Sequence, residues 1–378
     1  MKNVVVIGAG TGGLVAANRL KAGLGKRAHI TIFEKTHSHA FPPSLLWLAV
    51  GKRRPAQITR RHKRRRGIEM VNASVTKIDW SNRVVQTADR SVPYDYLILA
   101  PGAAHYPERL PGFSEAALDL YSAEGATRIS AELAAFTGGK IVILVASLPF
   151  KCPAAPYEAA FLVDARLQER NIDAQIQIIT PEPMPMPSAG PEIGKSVEQM
   201  LLSRNIEYLP SQNAVSINAS SQKIKMQNGE ELSYDLLIGI PPHGLPSFLS
   251  GSQVLAENGW VKVNPQTLET SVADVFAIGD VTTIGLRNGK PLPKAGVFAH
   301  AEAETASAMV IGRIKGKESS NRFDGHGACF LETGYGRAGH ATGDFFAESG
   351  PKVFMKTPSR FSHLVKVVFE KWWLWKWF

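Results

Sequence analysis

Val4-Val5-Val6-Ile7-Gly8-Ala9-Gly10-Thr11-Gly12-Gly13 decides the fold of this chain. Val4 to Ile7 is an apolar, β-branched run with strand character, and Leu14 to Leu20 reads as a helix. Ile30 to Phe33 is a second strand that ends in Glu34. A GxGxxG pattern alone is a weak signal. Here it follows a strand, opens a helix and has an acid 21 residues beyond its last glycine, the context in which such a loop binds a dinucleotide. Gly8 permits the tight turn, Gly10 and Gly12 leave the backbone open to a pyrophosphate, and Gly13 lets helix pack on strand. The pyrophosphate then sits at the helix N-terminus, Glu34 accepts from a ribose hydroxyl, and Lys35 belongs to the same site.

The 378 residues, 44% of them hydrophobic, suffice for two or three packed domains. The 33 glycines and 24 prolines suit the many turns of repeated strand, loop and helix units. No run of 18 apolar residues is present, so no transmembrane helix is expected. Met1 leads almost directly into a core strand, so no signal peptide is expected either. No metal-ligating spacing occurs.

The formal charge of +10 is concentrated. Residues 52–66, KRRPAQITRRHKRRR, carry nine Lys or Arg and no acid, which leaves the remainder close to neutral. Such a patch is a solvated face, a surface for anionic lipid, or a nucleic-acid site. No nucleic-acid motif accompanies it, so no nucleic-acid partner is expected. At the other end, residues 361–378 read FSHLVKVVFEKWWLWKWF, with four of the seven tryptophans in the last seven residues. On a helix, Arg360, His363, Lys366, Glu370 and Lys371 share an arc of about 140°, while Leu364, Val365, Val368, Phe369 and Trp372 take most of the other side. An amphipathic helix ending in tryptophans suits a membrane interface, and docking on the protein's own core is the alternative. With the basic patch, it points to a peripheral membrane protein.

Two later segments assign the dinucleotide. Tyr94 to Gly102 is a strand running into Ala100-Pro101-Gly102, and Val275 to Asp280 is a strand ending in Gly279-Asp280. Both resemble the downstream signatures of two-dinucleotide-domain flavoproteins. That resemblance implies FAD at the N-terminal site, with Asp280 on its ribityl chain. Lys294, Gly296 and Val297 open a further helix whose N–H groups would face the isoalloxazine. A second, nicotinamide-binding loop is expected after the strand at Lys140 to Ala146, before a helix at Ala159 to Arg170 and a strand at Gln175 to Ile179. The loop from Ser147 to Glu158 contains no glycine and several prolines, so it cannot cradle a phosphate in that way. Thr180-Pro181-Glu182-Pro183 offers no clean acid at the ribose position. Cys152 stands in that loop.

Two cysteines are too few for a disulfide framework, and on count alone both could be inert. Their surroundings resemble sulfide:quinone oxidoreductase. Cys152-Pro153-x-x-Pro156-Tyr157-Glu158 is similar to that family's first redox cysteine with a glutamate six residues on, Phe323 to Cys329 to its second, and Lys366 to Lys376 to its membrane-binding tail. The resemblance implies a Cys152–Cys329 redox pair that takes sulfur from sulfide and passes two electrons through FAD to a membrane quinone. No third cysteine is present to tether the flavin, so FAD is expected to be non-covalent. Glu158 is the implied proton carrier or base, with an exposed helix-terminal glutamate as the bland alternative. Lys151 and Lys294 are candidates to stabilise a thiolate, and His243 and His300 are weaker ones. Phe41 to Leu48, Phe330, Tyr335 and Phe346 are candidates for a quinone channel, and Lys366 for a quinone contact.

The expected architecture is α/β, with two Rossmann-like dinucleotide-binding domains and a C-terminal amphipathic membrane-binding segment. Residues 1–108 and 245–315 form the discontinuous FAD domain, 109–244 the second domain with a degenerate nicotinamide site, and 316–378 the C-terminal region. The expected location is the cytoplasmic membrane, and a homo-oligomer is compatible with the sequence. The alternatives are the flavoprotein subunit of a flavocytochrome c sulfide dehydrogenase and a type II NADH:quinone dehydrogenase.

Overall fold

The computed structural model describes residues 1–62 and 66–378. Lys63, Arg64 and Arg65, part of the basic stretch, lie outside the described residues. Near the N-terminus, apolar β-branched runs with no polar alternation form strands buried on both faces, as a parallel sheet between helices requires. Such strands pair in parallel with a half-buried edge strand, Glu69–Val71, in the order Val275–Ala277, Tyr96–Leu99, Lys2–Ile7, Ala28–Phe33 and Glu69–Val71. The fingerprint helix, Thr11–Leu24, packs against the Gly296–Ile314 helix. A segment from late in the chain thus completes the N-terminal sheet.

A second parallel sheet has the order Leu118–Asp119, Leu236–Ile240, Gly139–Val145, Ala174–Ile179 and Glu207–Leu209. Its central strands are almost entirely buried. The helix expected from Ala159 begins earlier, at Ala155, and runs to Gln168. Pro156 is the reason: proline is accepted in a first helical turn, where its missing N–H has no partner to lose. Glu158 is therefore a residue of that first turn rather than of the loop.

After the Gly296–Ile314 helix the chain forms an antiparallel sheet of His326–Gly334, Arg337–Asp344 and Lys352–Ser359, which leads into a last helix, Arg360–Trp377. Ser359 caps that helix, its hydroxyl accepting from the Ser362 N–H at 3.1 Å. The expected charged arc does not form a water-facing stripe: Lys366 and Glu370 are buried, while Arg360 and Lys371 stay exposed. Ser362, Lys366, Glu370, Trp373, Leu374 and Trp377 turn inward, while Phe361, Leu364, Val365, Val368, Phe369, Trp372 and Trp375 are exposed, Trp375 at 80%. Among the described residues, no helix is long and apolar enough to cross a membrane.

Candidate functional site

Cys152 and Cys329 line one cleft. Its empty volume is about 840 Å³, part of it open to solvent, and its walls include Pro153, Met186, Ile193, Val297, Phe298, Leu331, Phe345 and Met355. Cys329 lies on the first strand of the C-terminal antiparallel sheet, opposite Ala341. Cys152 lies just before the Ala155–Gln168 helix. Both are free thiols. Burial among apolar walls pushes both up, Cys329 to about 11, with the Glu158 carboxylate acting in the same direction and Lys366 opposing it. Cys329 is exposed only in the sense that its surface opens onto this cleft.

The backbone around Cys152 is held from two sides. Its φ of 52° is in the left-handed region that side chains rarely adopt. The Cys152 N–H donates to the Lys294 carbonyl at 2.7 Å, and the Tyr121 hydroxyl donates to the Lys151 carbonyl at 2.5 Å. The first bond ties the thiol-bearing loop to the segment that follows Asp280, and the second ties it to Tyr121.

Glu158 is not the exposed helix-terminal glutamate of the bland reading. It is 3% exposed, and its Oε1 accepts from the Glu332 N–H at 2.7 Å and from Lys366 Nζ at 2.9 Å. The Lys366 ammonium also lies 3.8 Å from Glu332, whose carboxylate meets His363 Nδ1 at 3.0 Å, and 5.0 Å from the centre of the Trp47 ring. Burial raises the Glu158 carboxyl despite Lys366; the two carboxylates keep Lys366 protonated against its own burial. Two carboxyl groups therefore share one ammonium.

The fingerprint loop suits a dinucleotide. Gly8 has a φ of 98°, and a side chain there would meet the Ala100 carbonyl at 2.3 Å; one at Gly13 would meet the Gly8 carbonyl at 1.8 Å. A Cβ on Gly10 would meet nothing within 4 Å, so the loop is open where a pyrophosphate would lie. Glu34 stands at the loop, but its carboxylate accepts from the Ala9 N–H at 2.8 Å and the Thr36 N–H at 2.9 Å. It thus shapes the loop as well as facing it. Gly102 and Gly279, with φ of 72° and 73°, close the turns after their strands. The Gly296–Ile314 helix starts without a side-chain cap, leaving the first N–H groups free for a ligand, and Val297 lines the cysteine cleft. These features fit FAD.

The other candidates take the following places. Lys294 is buried: Nζ donates to the Asp280 carbonyl at 2.7 Å and the Thr282 carbonyl at 2.9 Å and lies 3.5 Å from the Trp260 ring centre. Burial lowers it to about 8. Burial also lowers Lys151, opposed by Asp280 and Asp119. Phe330 lines the cysteine cleft, but Phe346 packs on Phe323 and Tyr335 is exposed beside Arg204. Phe41 and residues 44–48 are buried, and Phe41 meets Trp373 of the last helix with ring centres 4.8 Å apart. His300 packs edge-on against Trp377, and His243 is buried with Nδ1 on the Pro241 carbonyl.

Residues not singled out by motif also converge here. Glu370 accepts from Ser44 Oγ at 2.6 Å and from Arg53, whose guanidinium also sits 4.4 Å from the Trp47 ring centre. Burial works against the Glu370 carboxylate, but the hydrogen bonds from Arg53 and Ser44 outweigh it and hold the group below its usual range. Arg53 was legible only as part of a charge run. Glu302 accepts from the Gly279 N–H behind Asp280, and burial pushes it up to about 7. Its signal, an acid among small apolar helix residues, was present but unassigned.

A family model described as pyridine nucleotide-disulphide oxidoreductase matches residues 2–303. The mitochondrial sulfide:quinone oxidoreductase of Mus musculus is 24% identical over 362 residues, covering 91% of this chain and 78% of that protein. The sulfide-quinone reductase of Aquifex aeolicus (strain VF5) is 25% identical over 405 residues, covering 99% and 91%. The X-ray structure of the sulfide:quinone oxidoreductase from Aquifex aeolicus aligns with a TM-score of 0.87 at 24% identity, covering 100% of this chain and 91% of that one. The resemblance read from the cysteine segments falls on these same enzymes. The chain is an oxidoreductase with FAD as its cofactor, and it belongs to the pyridine nucleotide-disulphide oxidoreductase family.

Proposed function

We propose that this chain oxidises sulfide through a Cys152–Cys329 redox pair and delivers the two electrons, by way of non-covalent FAD, to a membrane quinone. The observation that carries the reading is the single apolar cleft shared by both sulfurs, at the loop where a nicotinamide-binding relative would place glycines. In the oxidised pair, the sulfur of sulfide attacks one cysteine sulfur. A new S–S bond forms, the Cys152–Cys329 bond breaks, and its electron pair stays on the other cysteine as thiolate. Bound FAD supplies a two-electron relay between sulfur and quinone. Gly8, Gly10, Gly12, Gly13, Glu34, Lys35, Ala100, Pro101, Gly102, Gly279, Asp280, Lys294, Gly296 and Val297 are the residues assigned to hold it.

On the quinone side, Glu158 is the carboxyl placed to exchange a proton beside Lys366, with Glu332 and His363 behind it. The outward apolar face of the last helix, with Lys371 and Lys376 at its end, suits a lipid interface, because Trp and Phe settle at the headgroup boundary and lysines reach past them. The basic residues of 52–66 add attraction for anionic headgroups. The protein in this reading is peripheral to the cytoplasmic membrane, with domains at 1–108 with 245–315, 109–244 and 316–378.

The test is anaerobic stopped-flow spectroscopy of the FAD-loaded protein mixed separately with sulfide and with NADH. Rapid bleaching of the flavin by sulfide alone is expected; bleaching by NADH and not by sulfide refutes the reading.

A further inference from the structure

The cysteine cleft has one more ionisable wall. Among its described lining residues only Cys152, Cys329 and Glu182 titrate, and Glu182 is 3% exposed. We infer that Glu182 is the catalytic proton acceptor of the sulfur half-reaction in this cleft, a role that rests on the sulfide-oxidising function proposed above.

Glu182 lies three residues beyond the Ala174–Ile179 strand, turned into the cleft and away from the position a ribose-binding acid would take directly after the strand, as Glu34 does. Its Oε2 accepts from the Tyr157 hydroxyl at 2.7 Å, and Tyr157 is the helical neighbour of Glu158. The groups around it are Tyr157, Tyr208, Tyr121 and Thr180, none of them a cation. Tyr121 is also the residue whose hydroxyl reaches the Cys152 loop. Burial alone drives Glu182 up to about 7, opposed by the Tyr157 and Thr180 hydroxyls. Glu158, by contrast, is tied to Lys366 and to the last helix. The two buried carboxyls therefore differ in job: one serves the sulfur cleft, the other the helix-facing network.

An apolar cleft admits neutral hydrogen sulfide more readily than its anion. As the sulfur bonds to one cysteine, the Cys152–Cys329 bond breaks with its electron pair on the other cysteine. The displaced S–H proton passes to the Glu182 carboxylate. Hydrogen sulfide, a disulfide and a carboxylate thus become a persulfide, a thiolate and a carboxylic acid, with atoms and charge balanced.

The experiment compares the FAD-loaded wild type with Glu182→Gln, which keeps an acceptor for Tyr157, and Glu182→Asp, which keeps a carboxyl. Anaerobic flavin bleaching by sulfide should slow on the order of 10²-fold in Glu182→Gln, while reoxidation of the reduced flavin by a short-chain quinone keeps its wild-type rate. The infrared difference spectrum on adding sulfide should show a carboxylic-acid band in wild type and in Glu182→Asp but not in Glu182→Gln. Equal bleaching rates in wild type and Glu182→Gln, or a band that survives in Glu182→Gln, overturn the inference while leaving sulfide oxidation standing. A wild type that sulfide cannot bleach overturns both.

Discussion

Lys366 Nζ donates to Glu158 Oε1 at 2.9 Å, so a residue of the last helix neutralises a carboxyl on the helix that begins three residues after Cys152. Both side chains are buried. Removing one partner of a buried pair leaves the other charge uncompensated, so Lys366→Met should cost about 3–5 kcal/mol. The double variant Glu158→Gln/Lys366→Met should recover much of that loss. Urea titrations of the three proteins check it, and a Lys366→Met midpoint equal to wild type contradicts the burial of the pair.

Cys152 and Cys329 act as one unit in the proposed chemistry. Cys152→Ser and Cys329→Ser should each slow flavin bleaching by sulfide on the order of 10³-fold or more, and the double variant should be little worse than either. Losses that multiply would mean that the two sulfurs work independently.

Gly13 has no room for a methyl group, since a Cβ there would lie 1.8 Å from the Gly8 carbonyl. Gly13→Ala must push the fingerprint helix off its strand, at about 1–3 kcal/mol, and FAD affinity should fall roughly tenfold to a hundredfold. The ratio of flavin to protein absorbance after dialysis measures this. Gly10→Ala, which meets nothing in the protein, should lose FAD only through blocking the ligand itself.

The outward face of the last helix is separable from the inward one. Val368→Glu and Trp375→Glu change exposed side chains and should alter stability by no more than about 0.5 kcal/mol. Both should reduce partitioning onto vesicles containing anionic lipid, because each removes apolar contact worth about 1.5–3 kcal/mol when buried in lipid. Unchanged flotation with vesicles in both variants would disprove the lipid-facing role.

Acid should destabilise the protein through buried histidines. Burial is the largest cause of depression for all three, lowering His39 to about 4, His243 to about 3 and His105 to about 2, all from 6.5. A depressed group contributes stability that is complete above pH 6.5 and is lost as pH falls toward its folded value. Glu182 and Glu302, raised to about 7 from 4.5, act oppositely: their contribution is complete below pH 4.5 and is lost as pH rises toward 7. Urea midpoints at pH 7, 6, 5 and 4 should show a shallower acid limb in His243→Asn than in wild type.

Much of this was legible in the chain. The strand, loop and helix of the fingerprint, the absence of glycine around Cys152, and the length of the last helix all follow from local rules: φ allowances, proline placement and the 3.6-residue period. The two arcs of residues 360–377 were legible for the same reason. Their direction was not, because periodicity says which residues share a face and nothing about what that face meets. Here Ser44, Arg53, Glu158 and Glu332 supply partners for Glu370 and Lys366, so these two charged side chains are drawn in while Arg360, Lys371 and the apolar arc are left outside.

The same division runs through the site. Sequence alone determined the dinucleotide loop, and its resemblance to a known family singled out Cys152 and Cys329 as a candidate pair. Only the tertiary structure decided that Glu158 is buried, that Lys294 is bound to two carbonyls, and that Glu182 faces the cysteine cleft. Local geometry is set by neighbours a few residues away, whereas the charge state and reach of a side chain depend on groups that meet it from distant parts of the chain, 208 positions apart in the case of Glu158 and Lys366.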